Sequence, residues 1–320
     1  MKNILITGAS GFVGATLVEQ LQGKQAYSKI YTLSRRFDQR LSDQIHQIIA
    51  DRSEQFFETP IPENIDVIIH LAGRAHILND QSNNPLDDFR KVNVDGTLQL
   101  AKQAIDKKVK RFIFMSSIGV NGAVTFDQPF SEQITPKPHA DYAVSKYEAE
   151  EALKALFIGS ETELIVIRPP LVYAAHAPGN FARLLKLVSM NLPLPFAQTN
   201  NKRTFVALEN LVDFIQVCIN HPNAANQIFL VADQESLSTR ELVEYLKQGI
   251  CKKPYFIYIP QSLMKLGASC LGKSKLYEQL FESLEVDTTK AQKLLGWTAP
   301  LTAKQAMIQV GKDYIKLKSN

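Results

Sequence analysis

The sequence has little cysteine and no pair of histidines with metal-binding spacing. Its three cysteines are odd in number and form no C-x-x-C pair, which argues against a disulfide framework and a cysteine zinc site. We expect Cys218, Cys251 and Cys270 to be buried free thiols in a reducing compartment. No two histidines stand in an H-x-x-H or H-E-x-x-H arrangement, so no metal site is predicted.

Long apolar runs and an excess of one charge are also missing. No stretch reaches the roughly 18 apolar residues that cross a bilayer, and the residues after Met1 show no signal-peptide architecture. The 36 lysines and arginines nearly balance the 32 aspartates and glutamates, and they are scattered along the chain. These features predict a cytoplasmic protein with no membrane span and no nucleic-acid partner.

Short apolar runs alternate with helix-length amphipathic segments, a pattern typical of βαβ units and a parallel sheet. Strands that are buried on both faces form unbroken apolar runs. Six such runs occupy residues 4–10, 29–34, 46–51, 66–73, 111–117 and 164–170. We therefore predict an α/β fold with a doubly wound, Rossmann-type parallel sheet.

The pattern changes after Pro170, where loops rich in proline, glycine and asparagine begin. We predict a dinucleotide-binding domain at residues 1–170 and a smaller substrate-binding region at residues 171–320. A later apolar strand near residues 227–233 is expected to rejoin the first sheet. The apolar segment at residues 263–271 suits contact with a membrane or a partner, but a buried helix of the second region is the stronger expectation.

Residues 7–14, Thr-Gly-Ala-Ser-Gly-Phe-Val-Gly, follow the first predicted strand and open a helix. A dinucleotide fingerprint needs this context, because the glycines permit a tight turn and a close approach of the backbone to the pyrophosphate, which then lies at the helix N-terminus. Tight turns without a ligand also use glycine. The position directly after the first strand favours a cofactor site.

Cofactor preference is predicted at the end of the second strand, where a carboxylate binds the ribose of NAD. Ser34 is followed there by Arg35 and Arg36, with no acid. Two guanidiniums suit a phosphate dianion, so NADP(H) is preferred and NAD(H) is possible, with solvated loop arginines as the alternative. Asp51 ends the third apolar run, where it accepts the adenine amino hydrogens unless it is an ordinary turn residue.

Tyr142 and Lys146 are four residues apart on a predicted helix and therefore share one face. A nearby cation stabilises a phenolate, so this tyrosine is a candidate for proton exchange near neutrality. Tyr-x-x-x-Lys also occurs by chance on exposed helices. Ser116 and Ser117 strengthen the interpretation, because they end the fifth apolar run, where the carboxyl ends of parallel strands line a ligand crevice. His70 is interpreted as a strand residue of the fourth run, and Arg74 and His76, just after that run, are expected near the same crevice.

The chain resembles the extended short-chain dehydrogenase/reductases, and within them the NAD(P)-dependent epimerase/dehydratase branch that acts on nucleotide sugars. The resemblance covers nearly the whole chain and rests on these motifs in this order: TGASGFVG, HLAG, Asn93 in KVNVDGT, Ser117, Tyr142 with Lys146, and RPPLVY. It implies that Tyr142 is the acid/base, that Lys146 tunes its pKa and binds the ribose, and that Ser117 contacts the reacting oxygen.

The resemblance also implies a set of binding residues and a homodimer. The residues implied for the cofactor are Gly8, Ser10, Gly11, Phe12, Val13, Gly14, Arg35, Arg36, Asp51, Arg52, Leu71, Ala72, Gly73, Asn93, Tyr142, Lys146, Pro169 and Val172. Those implied for a UDP- or dTDP-sugar are Arg74, Ser117, Asn121, Asn180, Pro195, Phe196 and Arg203. Within this second set, Asn180 and Arg203 are expected at the diphosphate, and Pro195 and Phe196 are expected to flank the base.

Departures from the family pattern narrow the expected reaction. The 4,6-dehydratases carry an Asp-Glu pair after the catalytic threonine, whereas Ile118 and Gly119 stand there in this chain. Dehydration is therefore not expected. Asn121 replaces the usual tyrosine and Ala174 the usual glycine, which alters details of the sugar pocket.

Further stretches, among them HLAGRAH, MSSIGVNG and NLPLPF, are similar to bacterial polysaccharide-cluster enzymes. The expected function is NADPH-dependent reduction of the C4 ketone of a UDP-4-keto-6-deoxy-N-acetylhexosamine, giving UDP-N-acetylquinovosamine or UDP-N-acetylfucosamine. The alternative is a UDP-N-acetylglucosamine or UDP-glucose 4-epimerase with tightly bound NAD. A non-catalytic dinucleotide sensor is less favoured, because Ser117, Tyr142 and Lys146 are all present.

Overall fold

A seven-stranded parallel sheet lies at the centre of the computed structural model, which describes residues 1–50, 53–75 and 84–319. The strands are β1 (Lys2–Thr7), β2 (Tyr27–Ser34), β3 (Ile45–Ile49), β4 (Val67–His70), β5 (Arg111–Met115), β6 (Glu163–Arg168), β7 (Val172–Tyr173), β8 (Val206–Ala207) and β9 (Gln227–Leu230). The sheet order is β3-β2-β1-β4-β5-β6-β9, and β7 pairs with β8 in a separate two-stranded sheet. The predicted Rossmann-type fold is confirmed.

The helices that connect the strands follow their amphipathic segments. They are α1 (Phe12–Leu21), α2 (Pro85–Arg90), α3 (Thr97–Asp106), α4 (Asp141–Phe157), α5 (Gly179–Ser189), α6 (Leu208–Asn220), α7 (Thr239–Gly249), α8 (Gln261–Cys270), α9 (Ser274–Phe281), α10 (Thr289–Leu295) and α11 (Ala303–Ser319). A π-helical turn at Lys91–Gly96 joins α2 to α3, so these three pieces form one bent helix.

The strand order reverses direction between β1 and β4, which makes their carboxyl ends the switch point of the sheet. Ligands of open α/β sheets bind in the crevice at such a point, outside the carboxyl ends of the strands. The loops after Thr7, His70 and Met115 meet there, and they carry the glycine loop, residues 71–75 and Ser117.

Two hydrophobic cores cover the faces of the main sheet, and a third occupies the second region. Helices α1 and α6 pack on one face, whereas α3 and α4 pack on the other. Strand β9 lies beside β6, so the chain returns to the first sheet after β8. The core of the second region is built from α5, α7 and α11 together with Tyr173 and Phe196.

The apolar segment at residues 263–271 is not buried, and the expectation of a buried helix is wrong. Helix α8 contains no buried residue, and Leu263, Leu266 and Leu271 are 60%, 62% and 71% exposed. The expectation for the cysteines is wrong at two positions, because only Cys218 is buried while Cys251 and Cys270 are exposed. No helix in the described ranges is long and apolar enough to cross a membrane.

Candidate active site

The glycine loop after β1 is shaped by close backbone contacts. Gly8 has a left-handed backbone with φ of +74°, and a Cβ there would lie 2.7 Å from the Ala72 nitrogen. A Cβ on Gly14 would lie 2.1 Å from the Gly8 carbonyl oxygen, which fixes the approach of α1 to the loop. The Gly11 N–H donates to that same carbonyl at 3.0 Å. Only glycine fits at positions 8 and 14.

The N-terminus of α1 fits a negatively charged group. The helix begins at Phe12, and no side chain of the described residues caps this end. The first backbone N–H groups of a helix have no acceptor within the helix, and the helix dipole adds positive potential there. Ser10 and Gly11 are exposed in front of it. The donor set therefore suits the pyrophosphate of a dinucleotide.

The predicted residues for cofactor preference are placed only in part. Arg35 and Arg36 directly follow β2 and both are exposed, and the Ser34 hydroxyl donates to the Arg36 carbonyl at 2.8 Å. Asp51 and Arg52 lie outside the described residues, as does His76. Pro169 is buried after β6, where its carbonyl accepts from the Ile118 N–H at 2.9 Å, and Val172 is half-buried in β7.

A hydrogen-bonded chain crosses the switch point through His70. The Thr97 hydroxyl donates to the Asn93 carbonyl at 2.7 Å and so accepts from His70 Nε2 at 2.9 Å. His70 Nδ1 then accepts from the Thr7 hydroxyl at 2.7 Å, while Thr7 Oγ1 accepts from the Ala72 N–H at 3.2 Å. This direction of donation requires a neutral imidazole with the proton on Nε2.

Burial supports the same protonation state of His70. Desolvation, with a smaller contribution from the charge of Lys146, lowers the pKa of the imidazole to about 3. Sequence reasoning assigned His70 no more than a place in a strand, and it did not identify Thr7 or Thr97. The spacing of Asn93 and Thr97, one helical turn apart, is the only local signal that pointed to part of this chain.

Asn93 continues the network to the loop after β4 and to α4. Its Oδ1 accepts from the Arg74 N–H at 2.8 Å, and its Nδ2 donates to the Arg74 carbonyl at 3.0 Å and to Ser145 Oγ at 3.0 Å. Ser145 in turn donates to the Tyr142 carbonyl at 2.8 Å. Asn93, which the family resemblance assigned to the cofactor site, therefore holds residues 73–75 against the start of α4 through Ser145. The sequence reasoning did not identify Ser145.

Helix α4 carries both members of the Tyr-Lys pair. The Lys146 side chain donates from Nζ to the Met115 carbonyl at 2.9 Å and lies 4.6 Å from the centre of the Phe114 ring. A Cβ on Gly73 would lie 3.3 Å from Lys146 Nζ. The ammonium is thus enclosed by the ends of β4 and β5, on the side of the crevice.

Ser117 is brought to the same helix by the short turn that follows it. Its Oγ accepts from the Gly119 N–H at 3.1 Å and caps a 3-10 turn at Ile118–Val120. A Cβ on Gly119 would lie 3.2 Å from the Ala143 Cβ and 3.4 Å from Ser117 Oγ. Gly119 therefore lets the serine and the first turn of α4 approach, as the predicted triad requires.

Burial shifts the pKa values of both Tyr142 and Lys146. Burial raises the pKa of Tyr142 to about 12, whereas the sequence-based expectation was proton exchange near neutrality. Burial lowers the pKa of Lys146 to about 8, and Glu150 partly opposes this. Desolvation is the largest cause of both pKa shifts, because it disfavours the charged phenolate and the charged ammonium alike.

A buried ion pair links α4 to the ends of β5 and β6. Arg168, at the end of β6, pairs with Glu150 of α4 at 2.5 Å, and both side chains are almost fully buried. Ser116 donates to the same carboxylate, and Arg168 donates to Asn121 Oδ1 at 2.9 Å. Asn121 also donates to the Ser131 carbonyl at 3.0 Å and is buried. Both the oxygen and the nitrogen of the Asn121 amide are therefore engaged by protein groups instead of lining an open sugar pocket.

Arg74 and Phe89 lie beside Tyr142, the acid/base candidate. The Arg74 guanidinium stacks 5.5 Å from the Phe89 ring centre and pairs with Asp88 at 3.5 Å. The Phe89 ring meets the Tyr142 ring edge-to-face, with 6.0 Å between centroids. Arg74 is thus placed near the acid/base candidate, in agreement with its predicted position at the crevice.

The predicted diphosphate residues lie in the second region. Arg203 is half-buried, and its Nη1 donates to the carbonyls of Glu278 and Glu282 at 3.3 and 3.0 Å. Burial lowers its pKa to about 10, so it stays charged at neutral pH. Asn180, at the start of α5, donates to Gln279 Oε1 at 2.7 Å. Both residues therefore contact α9 and the turn after it.

The residues predicted to flank the base are placed differently from each other. Phe196 is buried in the core of the second region, with its ring 5.7 Å from that of Phe281. Pro195 is half-buried and lines a cavity of about 90 Å³ together with Tyr258, Met264 and Phe281. Only Pro195 of this pair faces a cavity, because the Phe196 ring fills the core behind it.

Comparison with known proteins identifies a family and several similar enzymes. Residues 4–232 match the NAD dependent epimerase/dehydratase family. The chain is 41% identical to a UDP-glucose 4-epimerase of Vibrio cholerae, over 98% of this chain and 96% of that one. It is 28% identical to an N-acetyl-alpha-D-glucosaminyl-diphospho-ditrans,octacis-undecaprenol 4-epimerase of Escherichia coli O157:H7, over 95% and 93%.

A solved structure shares the fold. The UDP-glucose 4-epimerase of Thermotoga maritima, solved with UDP-glucose, aligns with a TM-score of 0.76 at 20% identity, over 99% of this chain and 100% of that one. Fold, glycine loop and family match together define an enzyme of the extended short-chain dehydrogenase/reductase class that uses a nicotinamide dinucleotide. The chain belongs to the NAD dependent epimerase/dehydratase family of nucleotide-sugar enzymes.

Proposed function

We propose that this protein is a 4-epimerase of a UDP-hexose or UDP-N-acetylhexosamine. The observation that carries the proposal is the 41% identity to a UDP-glucose 4-epimerase across almost the whole of both chains. The set of half-buried Ser117 and Tyr142 with buried Lys146 supports it, because C4 epimerisation needs one acid/base at the C4 oxygen. Ile118 and Gly119 replace the acidic pair of the dehydratases, which disfavours dehydration.

The protein's own groups account for proton transfer at the C4 oxygen. Tyr142 Oη takes the hydroxyl proton when C4 is oxidised and returns it when C4 is reduced on the opposite face. The Ser117 hydroxyl holds the same oxygen, and this hydrogen bond strengthens as negative charge develops there. When bound, the dinucleotide supplies the hydride acceptor and, in its oxidised form, a positive charge that adds to that of Lys146 in favouring the phenolate.

The second region is proposed to bind the nucleotide diphosphate. Among the residues that the structure describes, the Arg203 guanidinium donates through Nη1 alone, to two carbonyls, which leaves its other N–H groups for a diphosphate in the fork geometry that arginine provides. The Asn180 amide, half-buried beside it, offers a second donor. Neither residue lies in the sheet domain, so substrate binding would bridge the two regions across the crevice.

Incubation of the purified protein with UDP-glucose or UDP-N-acetylglucosamine alone tests the proposal. We expect conversion to the corresponding C4 epimer with no net use of added nicotinamide, and NAD that copurifies with the chain. The matched control is Tyr142→Phe, which keeps the ring and its contact with Phe89. Absence of epimer with both sugars, from protein that carries NAD, would refute the proposal.

A second candidate is the NADPH-dependent 4-keto reductase, and the exposed pair Arg35 and Arg36 after β2 favours it. A guanidinium pair and no carboxylate at this position suit the 2′-phosphate of NADP. The test follows NADPH absorbance with a 4-keto-6-deoxy UDP-N-acetylglucosamine made by a separate dehydratase. The reductase would be supported if the wild type consumed NADPH in this assay. The double variant Arg35→Ala/Arg36→Ala should then be slower with NADPH but unchanged with NADH.

A further inference from the structure

The second region exposes an unusual concentration of large apolar side chains. Helix α8 turns Met264 and Ala268 toward the protein, as their lower exposure shows. Its other apolar residues, Leu263, Leu266 and Cys270, follow i, i+3, i+7 spacing and form an exposed stripe along the helix. The exposed large side chains of this segment are Tyr255, Tyr258, Leu263, Leu266, Leu271 and Leu276.

The apolar surface continues onto the neighbouring turn after α5. The Leu194 N–H donates to the Tyr255 carbonyl at 2.8 Å, which places residues 190–194 beside residues 255–257. Met190 and Leu192 are 40% and 49% exposed on this turn. Isolated exposed apolar residues need no explanation, but a contiguous group indicates a contact surface.

The charge of the same segment has one sign. Residues 252–277 contain five lysines and no aspartate or glutamate. All five are exposed, and none forms an ion pair with a residue in the described ranges. They are Lys252, Lys253, Lys265, Lys273 and Lys275. The rest of the chain nearly balances its charges, so this surface is distinct from its surroundings.

We propose that α8 and its flanks, residues 252–276, dock on the surface of an anionic lipid bilayer. Helices that lie in the bilayer interface have this composition. Here the leucines form one stripe of α8, the tyrosines precede the helix, and lysines stand before and after it in the sequence. Uncompensated lysines complement anionic headgroups, each strengthening binding by about fivefold. An apolar patch that bound a protein would not require this one-sided charge.

Docking at this surface would place the bilayer next to residues of the proposed sugar-diphosphate site. Tyr258 and Met264 line the cavity that also contains Pro195. The next helix, α9, supplies the Glu278 carbonyl that holds Arg203. The surface is therefore continuous with the wall of the proposed substrate site, although the docking proposal does not depend on which sugar is bound.

Vesicle flotation with the full chain tests the proposal. We expect the protein to float with vesicles of phosphatidylglycerol and phosphatidylethanolamine, to stay behind with phosphatidylcholine alone, and to be released by high salt. Leu263→Ser/Leu266→Ser should abolish flotation. Lys273→Gln/Lys275→Gln should weaken binding about 25-fold, from about fivefold for each lysine.

Matched controls use equally exposed residues elsewhere. Phe126→Ser removes an 85% exposed aromatic, and Lys29→Gln removes an exposed lysine; both should float like the wild type. All variants should keep wild-type activity on a water-soluble UDP-sugar, which shows that they fold. No flotation of the wild type, or flotation unchanged in the leucine and lysine variants, would overturn the proposal. So would dissociation of a wild-type oligomer by Leu263→Ser/Leu266→Ser without any effect on lipid binding, because the surface would then be a protein interface.

Discussion

His70 should make the folded protein sensitive to mild acid. The imidazole is fully buried and accepts from Thr7 while donating to Thr97. A second ring proton would place an N–H against the Thr7 hydroxyl, which would then have to give up its own donation to His70 and turn its hydrogen away. The neutral form is therefore the one that the folded state stabilises, and unfolding frees the imidazole to bind a proton.

The magnitude follows from the pKa of about 3 in the folded chain against the ordinary 6.5. A group whose pKa is lowered on folding contributes stability that is present above pH 6.5 and lost as the pH falls toward 3. Each pH unit below 6.5 removes about 1.4 kcal/mol. The loss is about 2 kcal/mol at pH 5 and about 4 kcal/mol at pH 3, where the folded imidazole is itself half protonated.

The assay is urea unfolding at pH 7 and at pH 5, for the wild type and for His70→Gln. The glutamine amide fits a similar space and does not titrate, so all other groups contribute equally to both chains. We expect the wild type to lose about 2 kcal/mol more free energy of unfolding than the variant between these pH values. An equal loss in both chains would refute the reasoning. NMR of the His70 ring gives an independent check, since its shifts should not change from pH 8 to pH 5.

Three substitutions in the site have predictable effects. Tyr142→Phe should lower turnover at least about 100-fold without loss of cofactor binding, because only the proton-transferring oxygen is removed; paired turnover and cofactor-binding measurements check this, and near-normal turnover would contradict it. Glu150→Gln should destabilise the fold by about 3–5 kcal/mol, because it leaves Arg168 buried without its partner charge; a change in thermal midpoint no larger than that of an exposed variant would contradict this. Gly14→Ala should prevent dinucleotide binding and destabilise the loop by about 1–3 kcal/mol, because its Cβ would lie 2.1 Å from the Gly8 carbonyl; cofactor retained by purified Gly14→Ala would contradict it.

Features that depend on short stretches of chain were predictable from the sequence. The unbroken apolar runs predicted β1 to β6 and β9, since a strand buried on both faces must be apolar at every position. The glycine loop was predictable because the motif stands directly after β1. The position of Tyr142 and Lys146 on one face of α4 was predictable, because residues four apart on a helix are neighbours. Each of these inferences concerns residues that are neighbours along the chain.

Features that join distant segments were decided only by the tertiary structure. His70 lies between Thr7 and Thr97, which belong to a strand and a helix that the sequence does not show to be adjacent. The pairing of Glu150 with Arg168 likewise depends on how α4 lies over β6. Packing can satisfy a buried polar group in many ways, and no local pattern selects one of them.

The segment at residues 263–271 shows the same division between sequence and structure. Its composition predicted an apolar helix, and α8 is one. Hydrophobicity alone favours burial, which is why the sequence pointed to the core of the second region. Whether a core has room for a helix depends on the other elements that fill it, and here α5, α7 and α11 already do so. The sequence therefore determined the helix and its apolar stripe, while the packing of the remaining chain decided that the stripe faces outward.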